Sequence, residues 1–389
     1  MLIGTISGVG MWSFVVSLPA VQADFGLTRG EASLPYTLMM VGFAAGTVVM
    51  GRMVDRFGIL ATLLIGSIAI GIGYIAAGLA PTLMLFAIAH ILIGLGSSCG
   101  FGPLVSDISH WFEKRRGIAV GICAAGNYFA GALWPPVIQY FLAHGFMGNA
   151  GGWRPTHIGI GIVCATTMFP LAFLLRRRAP SAHASAASLP AAAGSLGLSP
   201  GALQLLLSVA GVACCVAMSM PQVHLVAYCG DLGYGVARGS EMLSLMMVFG
   251  IVSRIGSGFI ADRIGGLRTL LLGSFLQGMA LLLYAFFDGL ESLYIISALF
   301  GLFQGGIVPS YAIIVREYFS PREAGARLGV ILMATLFGMA FGGLISGWIY
   351  DLTGSYRAAF LNGLGWNLFN VAITLWLLNR PGRRIAATA

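Results

Sequence analysis

The sequence predicts an all-α membrane protein whose twelve transmembrane helices form two pseudo-symmetric six-helix bundles. Three observations predict it: a composition that cannot face water, apolar runs sufficient for twelve bilayer crossings, and motifs repeated at one offset between the halves. The 389 residues are 58% apolar and 9% charged, with a mean hydropathy of +0.90. Soluble domains carry roughly 25% charged residues, so this chain cannot cover an aqueous surface. Glycine, at 56 of 389 residues, is double the ordinary ~7%. It follows no Gly-X-Y period, which excludes collagen, and within apolar runs it suits close helix packing. Each crossing takes ~20 apolar residues, which leaves short loops and no stretch for a catalytic domain. An enzyme is therefore not expected, and neither is a cofactor.

Charges and turn residues divide the first half into spans near residues 2–22, 32–52, 59–79, 82–109, 117–142 and 155–175. The first starts at Met1 with no charged segment ahead of it, so it reads as a span without a preceding tail and not as a cleavable signal. Residues 2–21 just cross a bilayer at 1.5 Å per residue. The fourth and fifth exceed 25 residues and are expected to tilt or bend, with Pro135-Pro136 as a bend site. The second half gives spans near 202–229, 241–261, 268–287, 291–315, 325–350 and 357–378. Between the halves, Arg176–Pro200 is rich in Ala, Ser and Pro and uncharged after Arg178, the composition of a flexible linker. The expected organisation is a bundle over 1–178, a cytoplasmic linker over 179–200 and a bundle over 201–389.

The net charge of +8 belongs to topology and not to nucleic acid. Twelve spans put sixteen of the 21 basic residues in loops on the face that carries the termini, among them Lys114, the one lysine. Four, Arg29, Arg154, Arg238 and Arg357, fall on the other face. The positive-inside rule then places both termini in the cytoplasm, and the compact loops and scarce lysine point to a bacterial inner membrane. The remaining basic residue, Arg254, lies inside a span. The six cysteines fall in or beside apolar runs with no metal-ligand spacing, and no GxxxxGK(S/T) phosphate loop is present.

The halves repeat. Gly51, Asp55, Arg56 and Gly58 spell GxxxDRxG after span two, and Gly258, Asp262, Arg263 and Gly265 spell it after span eight, at an offset of 207. The same offset takes His110-Trp111-Phe112 to Glu317-Tyr318-Phe319 and Gly94-Leu95 to Gly301-Leu302. Twelve spans as six plus six, with this motif after spans two and eight, resemble the major facilitator superfamily over essentially the whole chain. In the motif, glycine permits close helix contact and the aspartate can face a neighbouring helix N-terminus. The arginine can pair with a carboxylate, so the set is expected to act as a cytoplasmic gate. Trp111-Phe112-Glu113-Lys114-Arg115-Arg116-Gly117 through Gly121 resembles the (Y/W)F-x-K-R-R-x-x-A-x-G segment of monocarboxylate transporters and the related oxalate/formate antiporters. The segment from Gly126 to Pro136 loosely resembles the fifth-span motif of drug/proton antiporters, but Pro does not follow the Gly as that motif requires.

Arg254 is the most informative residue. About 13 residues into span eight, it lies ~20 Å from the outer end, where a central arginine costs at least ~2.5–3.5 kcal/mol to insert. Asp107, Asp262 and Glu317 all fall near span ends, so no carboxylate shares its depth. It is either an anion site, able to grip a carboxylate through two parallel hydrogen bonds, or a structural arginine satisfied by carbonyls and water. The resemblance implies the former, because monocarboxylate transporters place a substrate-binding arginine in span eight. Where the eukaryotic members commonly have an aspartate one turn earlier, this chain has Gly250, which puts proton symport through that position in question. The antiporters' span-eleven lysine is also missing, since residues 328–350 hold no Lys or Arg. One cation favours a monoanion.

Asn127 and Tyr128 in span five, Gln304, Ser310 and Tyr311 in span ten, and Trp12 and Ser13 in span one stand at depths that can face a central cavity. Interhelical hydrogen bonding is open to each of them as well. His224 is a candidate proton site or a satisfied structural histidine, and His90 reads as structural. The expected function is alternating-access transport of a small organic monoanion such as lactate or pyruvate, by a monomer in the lipid bilayer, coupled to a proton or a counter-anion. Multidrug or sugar transport on the same fold, and a metabolite receptor that does not transport, are the alternatives.

Overall fold

A computed structural model of the protein describes residues 1–111, 122–145, 151–176 and 196–380. Among these residues the chain is helical throughout its crossings. Span one, Leu2–Phe25, changes helix at Gly8, between Leu2–Ser7 and Val9–Phe25. Spans two and three share the stretch Arg29–Leu79, which Gly58 divides with φ 83° and ψ 171°. Span four consists of Leu83–Ser97 and Gly102–Trp111 with a 3-10 turn at Ser98–Gly100 between them. Span five is Gly126–His144 and span six Trp153–Leu174. Spans seven to nine are Pro200–Asp231, Val236–Ile264 and Gly266–Phe286. Span ten breaks between Leu290–Gln304 and Ile307–Tyr318, and Pro321–Thr353 and Tyr356–Leu378 complete the twelve.

Several boundaries differ from the sequence expectation because caps, and not hydropathy, end the helices. Span seven begins at Pro200, inside the expected linker, because Ser199 Oγ accepts from the Ala202 amide and proline suits the first helical position. Span eight runs past both expected ends, to Val236 and Ile264. At the expected bend site the helix continues through both Pro135 and Pro136. Pro136 has no N–H for the Ala132 carbonyl, and Ser244 Oγ of span eight donates to that carbonyl instead. Of the resemblance segment after Trp111, residues 112–121 lie outside the described residues. So do 177–195 of the linker region and the terminal arginines Arg383 and Arg384.

The sequence repeat is a structural repeat. Gly265 adopts φ 84°, ψ 165°, the conformation of Gly58 207 positions earlier. Each glycine's carbonyl accepts from a threonine hydroxyl four residues on, Thr62 at 3.0 Å and Thr269 at 2.9 Å. Gly94 presses against Met39 so closely that an added Cβ would lie 2.0 Å from the Met39 carbonyl oxygen, and Gly301 stands in the same 2.0 Å relation to Met246. Both residues of that contact are displaced by 207. Spans four and ten thus dock onto spans two and eight through bare glycine, the device that replaces hydrophobic driving force inside lipid.

Gly301→Val should lower the melting temperature of the detergent-solubilised protein and its monodisperse yield, since overpacking costs about 1–3 kcal/mol even where neighbours can shift, and here a carbonyl cannot. Gly258→Ala, whose Cβ meets nothing within 4 Å, should leave the melting temperature unchanged. Fluorescence-detected size exclusion with a thermal ramp compares the two.

Candidate functional site

Between the halves lies a cavity of about 150 Å³. Trp12 of span one, Thr47 of span two, Phe101 of span four, and Asn127 and Tyr128 of span five line it from the N-terminal half. Gln222 of span seven, Arg254 of span eight, Val308 of span ten and Thr335 of span eleven line it from the C-terminal half. Drug-sized ligands occupy pockets of roughly 300–1,000 Å³, so this volume suits a small metabolite.

Arg254 stands about ten residues from the helix end at Ile264, or ~15 Å, the midpoint of a ~30 Å hydrocarbon core. Its guanidinium lies over the Tyr128 ring, 4.5 Å from the centroid, an attraction worth ~2 kcal/mol when desolvated. Nη1 reaches the Ala124 carbonyl at 3.4 Å, beyond the usual range for a good hydrogen bond. Nε is buried without a protein partner, and among the described residues no carboxylate lies within ion-pair distance. Among the described residues the charge is therefore held by a ring face and one weak carbonyl, which leaves most of its five donors uncommitted. Gly250, one turn earlier, is packed by Tyr128: a Cβ there would come within 2.5 Å of Tyr128 Cε1. The ring that supports the guanidinium occupies the space an aspartate at 250 would need.

Of the sequence candidates, Trp12, Asn127, Tyr128 and Arg254 meet at this cavity. Trp12 contributes an indole N–H that is buried and unpartnered. Gln304 and Tyr311 lie behind the wall. Gln304 Oε1 accepts from Gln222 Nε2 at 2.8 Å, and the Tyr311 hydroxyl is 3.6 Å from Cys214 Sγ. Ser310 bonds its own helix at Gly306, and Ser13 pairs with the Tyr74 hydroxyl. His224 lies away from the cavity, where Nε2–H donates to the Gly343 carbonyl at 2.8 Å and Nδ1 accepts from the Tyr356 hydroxyl at 3.2 Å. His90 is buried in an aromatic cluster with Phe14, Phe86 and His157. Sequence reasoning passed over Gln222, Thr335 and the cavity's methionines. Gln222, an uncharged polar residue deep in an apolar run, carried a legible signal; the methionines carried none.

A family model of the Major Facilitator Superfamily matches residues 1–296 and 284–388. The chain belongs to that superfamily. Among curated relatives, monocarboxylate transporter 13 of Bos taurus is 24% identical over 379 residues, covering 93% of this chain and 82% of its own length. The uncharacterized MFS-type transporter YcxA of Bacillus subtilis is 25% identical over 371 residues, with 90% and 88% covered. The solved nucleoside transporter NupG superposes with a TM-score of 0.74 at 13% identity, covering 97% of this chain and 98% of that one. A bacterial homologue of the human lysosomal transporter Spinster, in an inward-facing and occupied conformation, gives 0.71 at 15%, with 97% and 92% covered. The protein is a transporter of this superfamily and an integral membrane protein, not an enzyme.

In this superfamily fold the two membrane faces differ sharply. On the face opposite the termini the halves are latched. Arg29 at the start of span two donates to both carboxylate oxygens of Asp231 at 2.9 Å. The backbone amides of Arg29 and Gly30 each donate to Asp351, at 2.7 Å. Tyr350 and Tyr356 stack against the Arg29 guanidinium at 5.0 and 5.8 Å, and Thr37 Oγ1 donates to the Ala340 carbonyl. On the face that carries the termini, Gly51, Gly256, Gly258, Gly325 and Gly329 meet nothing within 4 Å. Asp55, Arg56, Asp262 and Arg263 are exposed there and make no ion pair among the described residues. Two carboxylates cap the N-terminus of a neighbouring helix: Asp351 caps span two, and Glu317 accepts from the Gly266 amide of span nine at 2.9 Å.

Arg29→Ala should shift the protein toward opening on the latched face. A charge-assisted hydrogen bond is worth about 1.5–3 kcal/mol, which corresponds to a population change of about 10- to 150-fold. Paired spin labels on the ends of spans one and seven, read by double electron–electron resonance, should show the longer distance emerge. An unchanged distribution would deny the latch its role.

Proposed function

We propose that the protein moves small organic monoanions, monocarboxylates of the size of lactate or pyruvate, across the membrane by alternating access. One observation carries this reading: an arginine with no carboxylate within ion-pair distance among the described residues lines a small cavity between the halves at mid-membrane. The superfamily's substrate sites lie at this level, between the two repeats. Arg254 binds the carboxylate through paired hydrogen bonds, and Asn127, Tyr128 and Trp12 complete the contact. Neutralising the guanidinium with its substrate lowers the cost of carrying charge past the membrane centre. Monocarboxylate transporters among the relatives support the substrate class.

With the termini in the cytoplasm of a bacterial cell, as the distribution of basic residues implies, the latched face is outward and the open face inward. The described conformation is then the one that exchanges substrate with the cytoplasm. The GxxxDRxG residues, with Gly51 and Gly258 unobstructed, meet across the interface when that face closes. Residues 179–200 link the two bundles, 1–178 and 201–389, on the cytoplasmic side. A proton or a counter-anion drives the cycle without a carboxylate at position 250.

Uptake of labelled lactate into proteoliposomes tests the reading. Arg254→Gln should reduce uptake at least tenfold with the melting temperature preserved, and Arg254→Lys should recover only part of it, because a point charge does not reproduce the bidentate fork. Equal uptake by wild type and Arg254→Gln would refute it. Gly250→Asp should also abolish uptake, by displacing the Tyr128 ring and pairing with Arg254.

A further inference from the structure

Apart from the carboxylate contact formed by Arg254, Asn127, Tyr128 and Trp12, the cavity offers the rest of a ligand few hydrogen-bond donors. Thr47 Oγ1 donates to the Phe43 carbonyl at 2.7 Å, and Thr335 Oγ1 to the Leu332 carbonyl at 2.6 Å. Gln222 spends its amide nitrogen on Gln304. Away from that contact, the polar side chains of Thr47, Thr335 and Gln222 are thus turned back into the protein. Between them the lining is apolar: the hydrocarbon of Phe43, Phe101, Val308, Leu332 and Leu336, together with the thioethers of Met11, Met218, Met247 and Met339 and the thiol of Cys215. A thioether donates nothing and accepts weakly, yet it is polarisable and adapts its three torsions to the shape it meets. A ligand with several hydroxyl groups entering this cavity exchanges strong hydrogen bonds to water for sulfur contacts, at a cost of about 1–3 kcal/mol per unpaired group.

We propose that the cavity selects monocarboxylates with an apolar, polarisable tail, such as short branched or aryl-substituted alkanoates, over hydroxylated acids of equal length. The inference rests on Arg254 as the carboxylate anchor. The carboxylate engages the guanidinium over Tyr128, and the tail lies in the sulfur wall formed by Met11, Met218, Met247 and Met339. The buried indole N–H of Trp12 accepts no proton and can only donate, so it serves at most one further acceptor oxygen on the ligand.

The experiment is a titration series on the full chain in lipid nanodiscs, by calorimetry, with acetate, propionate, butyrate, isovalerate and phenylacetate set against lactate and glycerate. Affinity should rise about fourfold with each methylene from acetate to butyrate, and butyrate should bind at least tenfold more tightly than glycerate. A flat series, or glycerate binding as tightly as butyrate, overturns the proposal. Met247→Gln and, independently, Met218→Gln should each lower the ratio of butyrate to glycerate affinity at least threefold; an unchanged ratio in both overturns the role of the sulfur wall. Arg254→Gln separates the two readings. If the acids bind wild type and Arg254→Gln alike, or bind neither, the carboxylate anchor itself fails. If binding needs Arg254 but shows no gradient with the tail, the tail class alone fails.

Discussion

A permanently charged guanidinium half-way through a bilayer constrains everything near it. Removing that charge from water is tolerable only if the surroundings restore some of the lost solvation, and here they do so sparingly. The Tyr128 ring face and a distant carbonyl hold Arg254, while Gly250 keeps a bare surface so that the ring can lie against span eight. A fuller complement of partners would lower the cost of the buried charge and occupy the donors that now face the cavity. The small cavity lies between the halves, and Trp12, Asn127, Tyr128 and Arg254 all border it.

The framework around that cation is assembled by subtraction. In lipid, helices gain nothing by hiding apolar surface from one another, so the contacts that fix their relation are those where side chains are absent and backbones approach. Gly94 on Met39 and Gly301 on Met246 repeat one such contact in both halves. The same economy distinguishes the two membrane faces. Gly30 and Gly347 are crowded by the opposing half, whereas Gly258 and Gly325 are clear. Within each half this glycine contact recurs at the same offset; between the halves, among the described residues, close glycine contacts crowd the latched face and leave Gly258 and Gly325 on the other face clear.

Much of this was legible in the sequence, for identifiable reasons. Hydropathy marks twelve spans because the bilayer admits no other solution for so apolar a chain. The offset of 207 marks the duplication because Gly58 and Gly265 need a backbone conformation that other residues rarely adopt. Arg254 stood out because a cation in an apolar run is costly wherever it points. What stayed hidden depends on rotation about helix axes. Nothing in the local sequence distinguishes Trp12, which faces the cavity, from Gln304 and Tyr311, which lie behind Gln222 and Cys214. The latch was equally hidden, since Arg29, Asp231 and Asp351 are separated by some 200 and 320 positions and each reads alone as an ordinary loop charge.

The start of span two is capped twice, from two different bodies. Thr28 and Glu31, both in the first half, form a reciprocal box in which the Thr28 side chain accepts from the Glu31 amide and the Glu31 carboxylate accepts from the Thr28 amide. Asp351, from the second half, takes the two intervening amides. When the halves separate on that face, Asp351 departs and those amides pass to water, but the box travels with its own helix. The helix therefore opens without unravelling, and the bonds that must be remade on each closure are only those that report whether the halves are together. A terminus built this way behaves as a reusable clasp: one set of bonds preserves the hook, and the other is free to let go.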